Sequence, residues 1–187
     1  MNKKLTIQNQ IVEYEIKRNW RSRRIRLTLS PDLVLRISAP HLCSDGFIQN
    51  IIKQKADWIL KKLDFLAKKK RIVLTKAQNY DKMKEICRQL VEQKIKEINK
   101  EYNFSFNRVA IRNQKTRWGS CSRNKNLNFS YKLIFLPERL ADYIVAHELC
   151  HLQELNHSRR FWDLVQKNIP DYKERRKELR NIMVEIE

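Results

Sequence analysis

Three of the four histidines in this 187-residue chain fall within one eleven-residue stretch, H-E-L-C-H-L-Q-E-L-N-H, from His147 to His157. His147 and His151 are four residues apart, so on a helix both imidazoles project from one face about one turn apart. That spacing lets two ring nitrogens grip one zinc ion at roughly 2.0–2.1 Å each. It also commits the chain to a helix at this point, because no other regular structure places the two side chains together. The residues between the motif positions support a buried helix. Val145, Ala146, Leu149, Cys150 and Leu152 are uncharged, and Glu148 is the one charged residue between 143 and 152. A surface helix carrying the pattern by accident would place lysines and glutamates in the gaps. A carboxylate in so apolar a stretch is costly unless it has a task.

Glu148 sits beside the first histidine and is the candidate general base. It is placed to take a proton from water activated by zinc and to pass it to a leaving group. A third ligand is needed, and three sources are open. His157 lies six residues after His151, an offset also used in the long H-E-x-x-H-x-x-G-x-x-H motif. Glu154 stands at that motif's glycine position, and Asn156 tolerates the left-handed backbone that would turn the chain back. Glu154 itself shares the helix face, and Glu174 or Glu178 can supply a ligand from a following helix. His157 is preferred, because a neutral imidazole needs no charge neutralisation and Ser158 can cap a new helix. Cys150 points to another side of the helix and reads as a small buried hydrophobe. Three protein ligands leave one position open, which favours a catalytic zinc over a closed structural one.

Elsewhere the hydrophobic period sets the organisation. I-V-E-Y-E-I-K, R-I-R-L-T-L-S and L-V-L-R-I-S-A-P alternate apolar with polar residues, and S-P-D at 30–32 marks a turn, which predicts a small antiparallel sheet. After Ser44 and Asp45 the period becomes helical, and that helix should end near A-K-K-K-R at 67–71. A second amphipathic helix follows Asp81. R-V-A-I-R at 108–112 and L-N-F-S-Y-K-L-I-F at 127–135 read as strands around W-G-S-C-S-R-N-K-N. Gly119, one of only two glycines, marks a backbone need in that segment. Pro137 opens the histidine helix, and two more helical stretches complete the chain. The fold expected is α+β: an N-terminal small antiparallel β-rich module with its following helix over 1–79, and a minimal zincin-like domain over 80–187. In the latter, the H-E-x-x-H helix lies beside an antiparallel sheet.

Charge narrows the partners. Forty Lys and Arg against twenty-one Asp and Glu leave a net +19, a surface that attracts polyanions such as nucleic acid. The segment 17–26, K-R-N-W-R-S-R-R-I-R, gathers Arg18, Arg21, Arg23, Arg24 and Arg26 around Trp20, a mixture suited to phosphate contact and base stacking. An ordinary solvated strand face is the competing reading. His41 reads as a surface or capping residue. No apolar run is long enough to span a membrane, and the first residues lack a signal-peptide pattern. The four scattered cysteines read as free thiols, so a cytoplasmic location is expected.

Taken together, R-W-G-S-C-S at 117–122, Y-I-V-A-H-E-L-C-H-L at 143–152 and N-H-S-R-R-F-W at 156–162 resemble the YgjP-like metallopeptidase family. The N-terminal R-S-R-R-I-R-L, S-A-P and A-D-W-I resemble it too. The resemblance implies a zinc-dependent hydrolase related to SprT-like and Wss-like proteases, with His147, His151 and His157 as ligands of one Zn2+ and Glu148 as base. Asn124 or Asn126 stands where the family uses a glycine after R-W-G-S-C-S. Arg117 and Trp118 precede an expected edge strand that can pair with an extended peptide. Arg117 can steady a substrate carbonyl or form a plain salt bridge, and Tyr131 is a weaker candidate for the same role. Three function classes follow: a peptidase acting on protein or peptide, including proteins bound to nucleic acid; a zinc hydrolase of nucleoside triphosphates; and a nucleic-acid-binding protein with a vestigial zinc site. An intact Glu148 counts against the last. An open groove beside a free strand edge favours peptide, whereas a closed basic pocket favours nucleotide.

Overall fold

The computed structural model describes residues 3–30, 32–74, 80–114 and 116–186. It is a mixed α+β structure that divides into two compact units, Met1–Lys70 and Arg71–Glu187. The boundary expected after residue 79 abuts 75–79, which lie outside the described residues, as does Pro31 of the expected S-P-D turn.

In the first unit, β1 (Lys3–Ile7) and β2 (Gln10–Asn19) form an antiparallel hairpin. Its two turn residues, Gln8 and Asn9, both have positive φ, the backbone that matches strand twist in a two-residue loop. β3 (Arg26–Leu29) and β4 (Leu35–Pro40) form the second hairpin. The sheet order is β1-β2-β4-β3, so β2 and β4 run parallel and the sheet is mixed rather than antiparallel. Alternation identifies a buried face but not a neighbour. β4 buries Leu35, Ile37 and Ala39 completely or nearly so and takes the central place, whereas the half-exposed β3 takes the edge. Two helices, α1 (Asp45–Gln54) and α2 (Ala56–Ala67), cover the buried face with Ile48, Ile52 and Ile59. Ser44 Oγ accepts the Phe47 N–H and caps α1. The single helix expected here is broken at Lys55, whose φ of −100° and ψ of 15° leave helical space.

The second unit holds β5 (Lys70–Leu74), paired with β9 (Ile182–Ile186), and the long α3 (Tyr80–Tyr102). β6 (Arg108–Arg112), β7 (Gly119–Cys121) and β8 (Asn126–Ser130) form a sheet in the order β6-β8-β7. β6 and β8 are parallel and β7 is antiparallel to β8, so this sheet too is mixed. The expected strand over 127–135 stops at Ser130, whose hydroxyl accepts the Lys132 N–H and opens a 3-10 helix over Tyr131–Phe135. α4 (Glu138–Cys150), α5 (Arg159–Asn168) and α6 (Tyr172–Arg180) follow. The β-branched tail after α6, read as helical from sequence, is β9. α4 is the central element of the core. Leu140, Val145, Ala146, Leu149 and Cys150 are fully buried in it, a helix apolar nearly all round.

Candidate metal centre

The end of α4 and the start of α5 bring the three histidines together. His151 is the C-cap of α4 and keeps helical angles (φ −67°, ψ −14°). The chain then tightens: the Gln153 and Glu154 N–H groups both donate to Cys150 O, at 3.2 and 3.0 Å. This turn carries the Glu154 carbonyl onto His151 Nδ1 at 2.8 Å. An Nδ1–H donated there fixes the tautomer and leaves Nε2 as a lone-pair donor. The return towards His157 needs neither glycine nor left-handed backbone, since Asn156 is not among the positive-φ residues. Instead, Asn156 Oδ1 accepts the Ser158 N–H at 3.2 Å, and Ser158 Oγ accepts the Phe161 N–H at 3.3 Å. An Asx turn leading directly into an N-cap does the work expected of a flexible residue.

His147 Nε2 lies 3.2 Å from His151 Nε2 and 3.1 Å from His157 Nε2. One N–H can bridge only one such pair, so convergence of three nitrogens is the arrangement of donors around a shared cation. Tetrahedral zinc bound at about 2.05 Å separates its nitrogens by about 3.3 Å, close to the spacing observed. Among the described residues, this trio is the one group of His, Cys, Asp and Glu side chains positioned to hold a metal. Burial holds His147 down to about 3, helped by the neighbouring imidazoles of His151 and His157 and by Arg176. Burial also lowers His151 and His157. All three rings are therefore neutral donors near pH 7, as a metal requires. The alternative third ligands are elsewhere: Glu154 contributes its backbone carbonyl, Glu174 is exposed, and Glu178 pairs with Arg139.

Glu148 is 6% exposed, and its Oε2 is buried without a hydrogen-bond partner. Burial pushes its carboxyl up to about 8, against an opposing pull from the Arg117 charge. β7 passes directly over this side chain. A Cβ built on Gly119 would lie 2.7 Å from Glu148 Cγ and Oε1, a distance no real Cβ sustains. Gly119 does not have positive φ. Its missing side chain serves close approach rather than an unusual turn. β7 is also the sheet edge, pairing Gly119, Ser120 and Cys121 with Phe129, Asn128 and Leu127 of β8.

Trp118 extends that pairing through its carbonyl, which accepts the Ser130 N–H at 2.7 Å, and its ring packs on the core. Arg117 is exposed and forms no ion pair among the described residues. Tyr131 is a core residue, edge-on to Tyr80 and Phe135, with no ring contact to the histidines among the described residues. The segment Arg18 to Arg26 belongs to the first unit. The sequence reading missed Arg176. Its guanidinium lies 4.7 Å over the Trp162 ring, which itself stacks on His157 and Tyr172. Arg176 lies within the charged run E-R-R-K-E, which carries no apolar residue to mark it. The four-residue spacing from Tyr172 was the available signal.

Three imidazoles so arranged could hold a metal ion, and the buried Glu148 carboxyl lies on the same helix. Residues 74–182 match the family described as YgjP-like, metallopeptidase domain, which is more than half of the chain. The chain belongs to the YgjP-like metallopeptidase family and is a metal-dependent hydrolase. Among solved structures it is similar to the metallopeptidase zymogen of Pyrococcus abyssi abylysin, at 27% identity and a TM-score of 0.43, over 50% of this chain and 99% of that one. No curated protein matches. Among the described residues no helix is long and apolar enough to cross a membrane.

Proposed function

We propose that the chain is a zinc-dependent peptidase in which His147, His151 and His157 hold one Zn2+ and Glu148 is the general base. The observation that carries this reading is the meeting of three ring nitrogens within 4.8 Å of one another, with those of His151 and His157 each within 3.2 Å of His147 Nε2. A bound zinc ion supplies Lewis acidity, lowering the pKa of water and polarising a carbonyl oxygen. Glu148 then accepts the proton of the attacking water and returns it to the departing amine. A bound cation would draw the Glu148 carboxyl down from the value near 8 that burial alone gives it, leaving its unpartnered Oε2 able to accept the proton, and the Gly119 backbone pressed against it limits where the group can swing. The free edge of β7 can align an extended peptide by main-chain hydrogen bonds, beside Trp118. Arg117, exposed and without an ion pair among the described residues, would steady the developing negative charge on the substrate carbonyl. Four free cysteines fit a reducing compartment, and we place the enzyme in the cytoplasm.

The test compares wild type with Glu148→Gln and His157→Ala for zinc content and for cleavage of an unfolded protein. Glu148→Gln should keep one zinc per chain and lose roughly 10²–10⁴-fold in cleavage rate. His157→Ala should lose the metal. Full zinc retention in His157→Ala removes the ligand assignment. A wild type that cleaves no protein but hydrolyses nucleoside triphosphates would move the activity to phosphoanhydrides.

A further inference from the structure

At one end of the first sheet the register pairs Asn19 with Pro40 and Arg26 with Ser38. The loops that follow β2 and β4 therefore leave the sheet side by side. There the rings of Trp20 and His41 stack, with centroids 3.7 Å apart and planes 11° from parallel. Trp20 is nonetheless 76% exposed, an unusual state for so large an apolar ring. The pair is held by a fixed frame. Arg18 donates to the carbonyls of His41, at 3.3 Å, and Cys43, and pairs with Asp45 Oδ1 at 2.6 Å. Asn19 Oδ1 accepts the Arg21 N–H at 2.9 Å, and Ser22 Oγ donates to Arg24 O at 2.9 Å.

The surrounding charge has one sign. No Asp or Glu occurs between Glu15 and Asp32. Lys17, Arg21, Arg23, Arg24 and Arg26 are exposed, and none forms an ion pair among the described residues. Lys17 and Arg26 flank Ser38 on the outer face of the sheet. One row away, Arg36 is already matched by Asp32 and Glu15.

We propose that this end of the first unit binds single-stranded nucleic acid, with an unpaired base stacked on the Trp20–His41 pair and phosphates held by the five free cations. The flat aromatic surface selects a partner with π-faces to offer, and the cations select one with a repeated negative charge. A duplex keeps its base faces covered, and an acidic peptide has no flat ring at each charge. Arg18, grouped with the other arginines on sequence, serves the frame rather than the ligand. His41, read as a surface residue, becomes half of the platform. This site belongs to the first unit, and its binding does not depend on the peptidase reading.

The experiment is fluorescence anisotropy of labelled single-stranded DNA and RNA oligonucleotides with the full chain, repeated over a salt series. A matching duplex and phosphatidylserine vesicles are the competitors. Trp20→Ala should weaken binding roughly ten-fold with an unchanged salt slope, and Trp20→Phe should restore most of it. Replacing Arg23 and Arg24 with Gln should instead flatten the slope by about 1.4. Lys61 and Lys62 on α2, replaced likewise, should change neither. The proposal fails if Trp20→Ala binds as wild type does, or if the α2 lysines matter as much as the arginines. It also fails if vesicles or duplex outcompete the single strand.

Discussion

The two units use similar sheets and place their charges in opposite ways. Each contains one parallel pair extended by an antiparallel strand, β2 and β4 with β3 in the first, β6 and β8 with β7 in the second; the first adds β1, antiparallel to β2, on its other edge. Residues 1–70 carry sixteen Lys and Arg against six Asp and Glu, yet every buried residue there is apolar among those described. The second unit carries less net charge for its length but buries Lys94, Lys132 and Glu148. A charge withdrawn from water must be repaid by partners or retained for a function. Lys94 belongs to the first kind, since Glu138 and Asp142 both bind its ammonium. Glu148 has one oxygen unpartnered and, on the proposed reading, belongs to the second. The first unit offers its charge to the outside, and the second keeps its chemistry within.

Each unit contains one glycine, and the two sit in opposite surroundings. An alanine methyl at Gly119 would strike the Glu148 carboxylate, whereas one at Gly46 would meet nothing within 4 Å. Displacing a catalytic group by about 1 Å can cost about 10²-fold in rate. Gly119→Ala should therefore lose about that factor in peptide cleavage while retaining zinc, measured by turnover and metal content. Gly46→Ala, in the first turn of α1, should leave cleavage unchanged and raise stability by about 0.5 kcal/mol. Equal activity in both variants would mean that β7 does not position Glu148.

Buried and exposed ion pairs test the same contrast at smaller scale. Asp142→Asn leaves Lys94, whose side chain is 4% exposed, with Glu138 alone, and should cost about 2 kcal/mol by denaturant unfolding. Asp64→Asn breaks a pair with Lys68 whose side chains are 61% and 74% exposed, and should cost under about 0.5 kcal/mol. Burial lowers the Lys94 pKa, but the two carboxylates outweigh it and the net shift is upward from 10.5. A raised lysine pKa contributes stability fully below the unfolded value, and that contribution is lost only as pH rises through the folded one. The Asp142→Asn deficit should therefore be constant across neutral pH and shrink in strong alkali.

What was legible in the sequence was whatever local spacing encodes. The four-residue spacing of His147 and His151 calls for a helix, and the scarcity of charge around them calls for its burial; both are observed. The change of period after Ser44 marks the start of α1. Neighbour choice was not legible, because alternation in β4 reports one buried face and says nothing of β2 running parallel beside it. The stack of His41 on Trp20 joins residues 21 apart in sequence, with no periodic signal between them. Arg176 acts through the ring of Trp162, fourteen residues earlier, and its own neighbours are charged. The turn near His157 was misread for a different reason. A side-chain oxygen on Asn156 replaced the backbone freedom that a glycine would have supplied.

The hairpins show the same substitution of means on the smallest scale. In the β7–β8 turn, Lys125 holds the left-handed position with φ 52°, rather than Asn124 or Asn126. Hydrogen bonds from Lys125 N to Ser122 O, at 2.9 Å, and from Asn126 N to Ser122 Oγ, at 3.2 Å, hold it there. A side-chain-bearing residue in this conformation costs roughly 1 kcal/mol relative to glycine. Lys125→Gly should recover about 1 kcal/mol in denaturant unfolding without altering zinc content. In the first unit, the β3–β4 turn holds Leu33 at φ 64°, but its side chain is half-buried. Leu33→Gly should gain less, because relief of strain is offset by lost apolar burial. If Leu33→Gly gained as much as Lys125→Gly, turn strain alone would set both values, and the core of the first unit would not depend on that side chain.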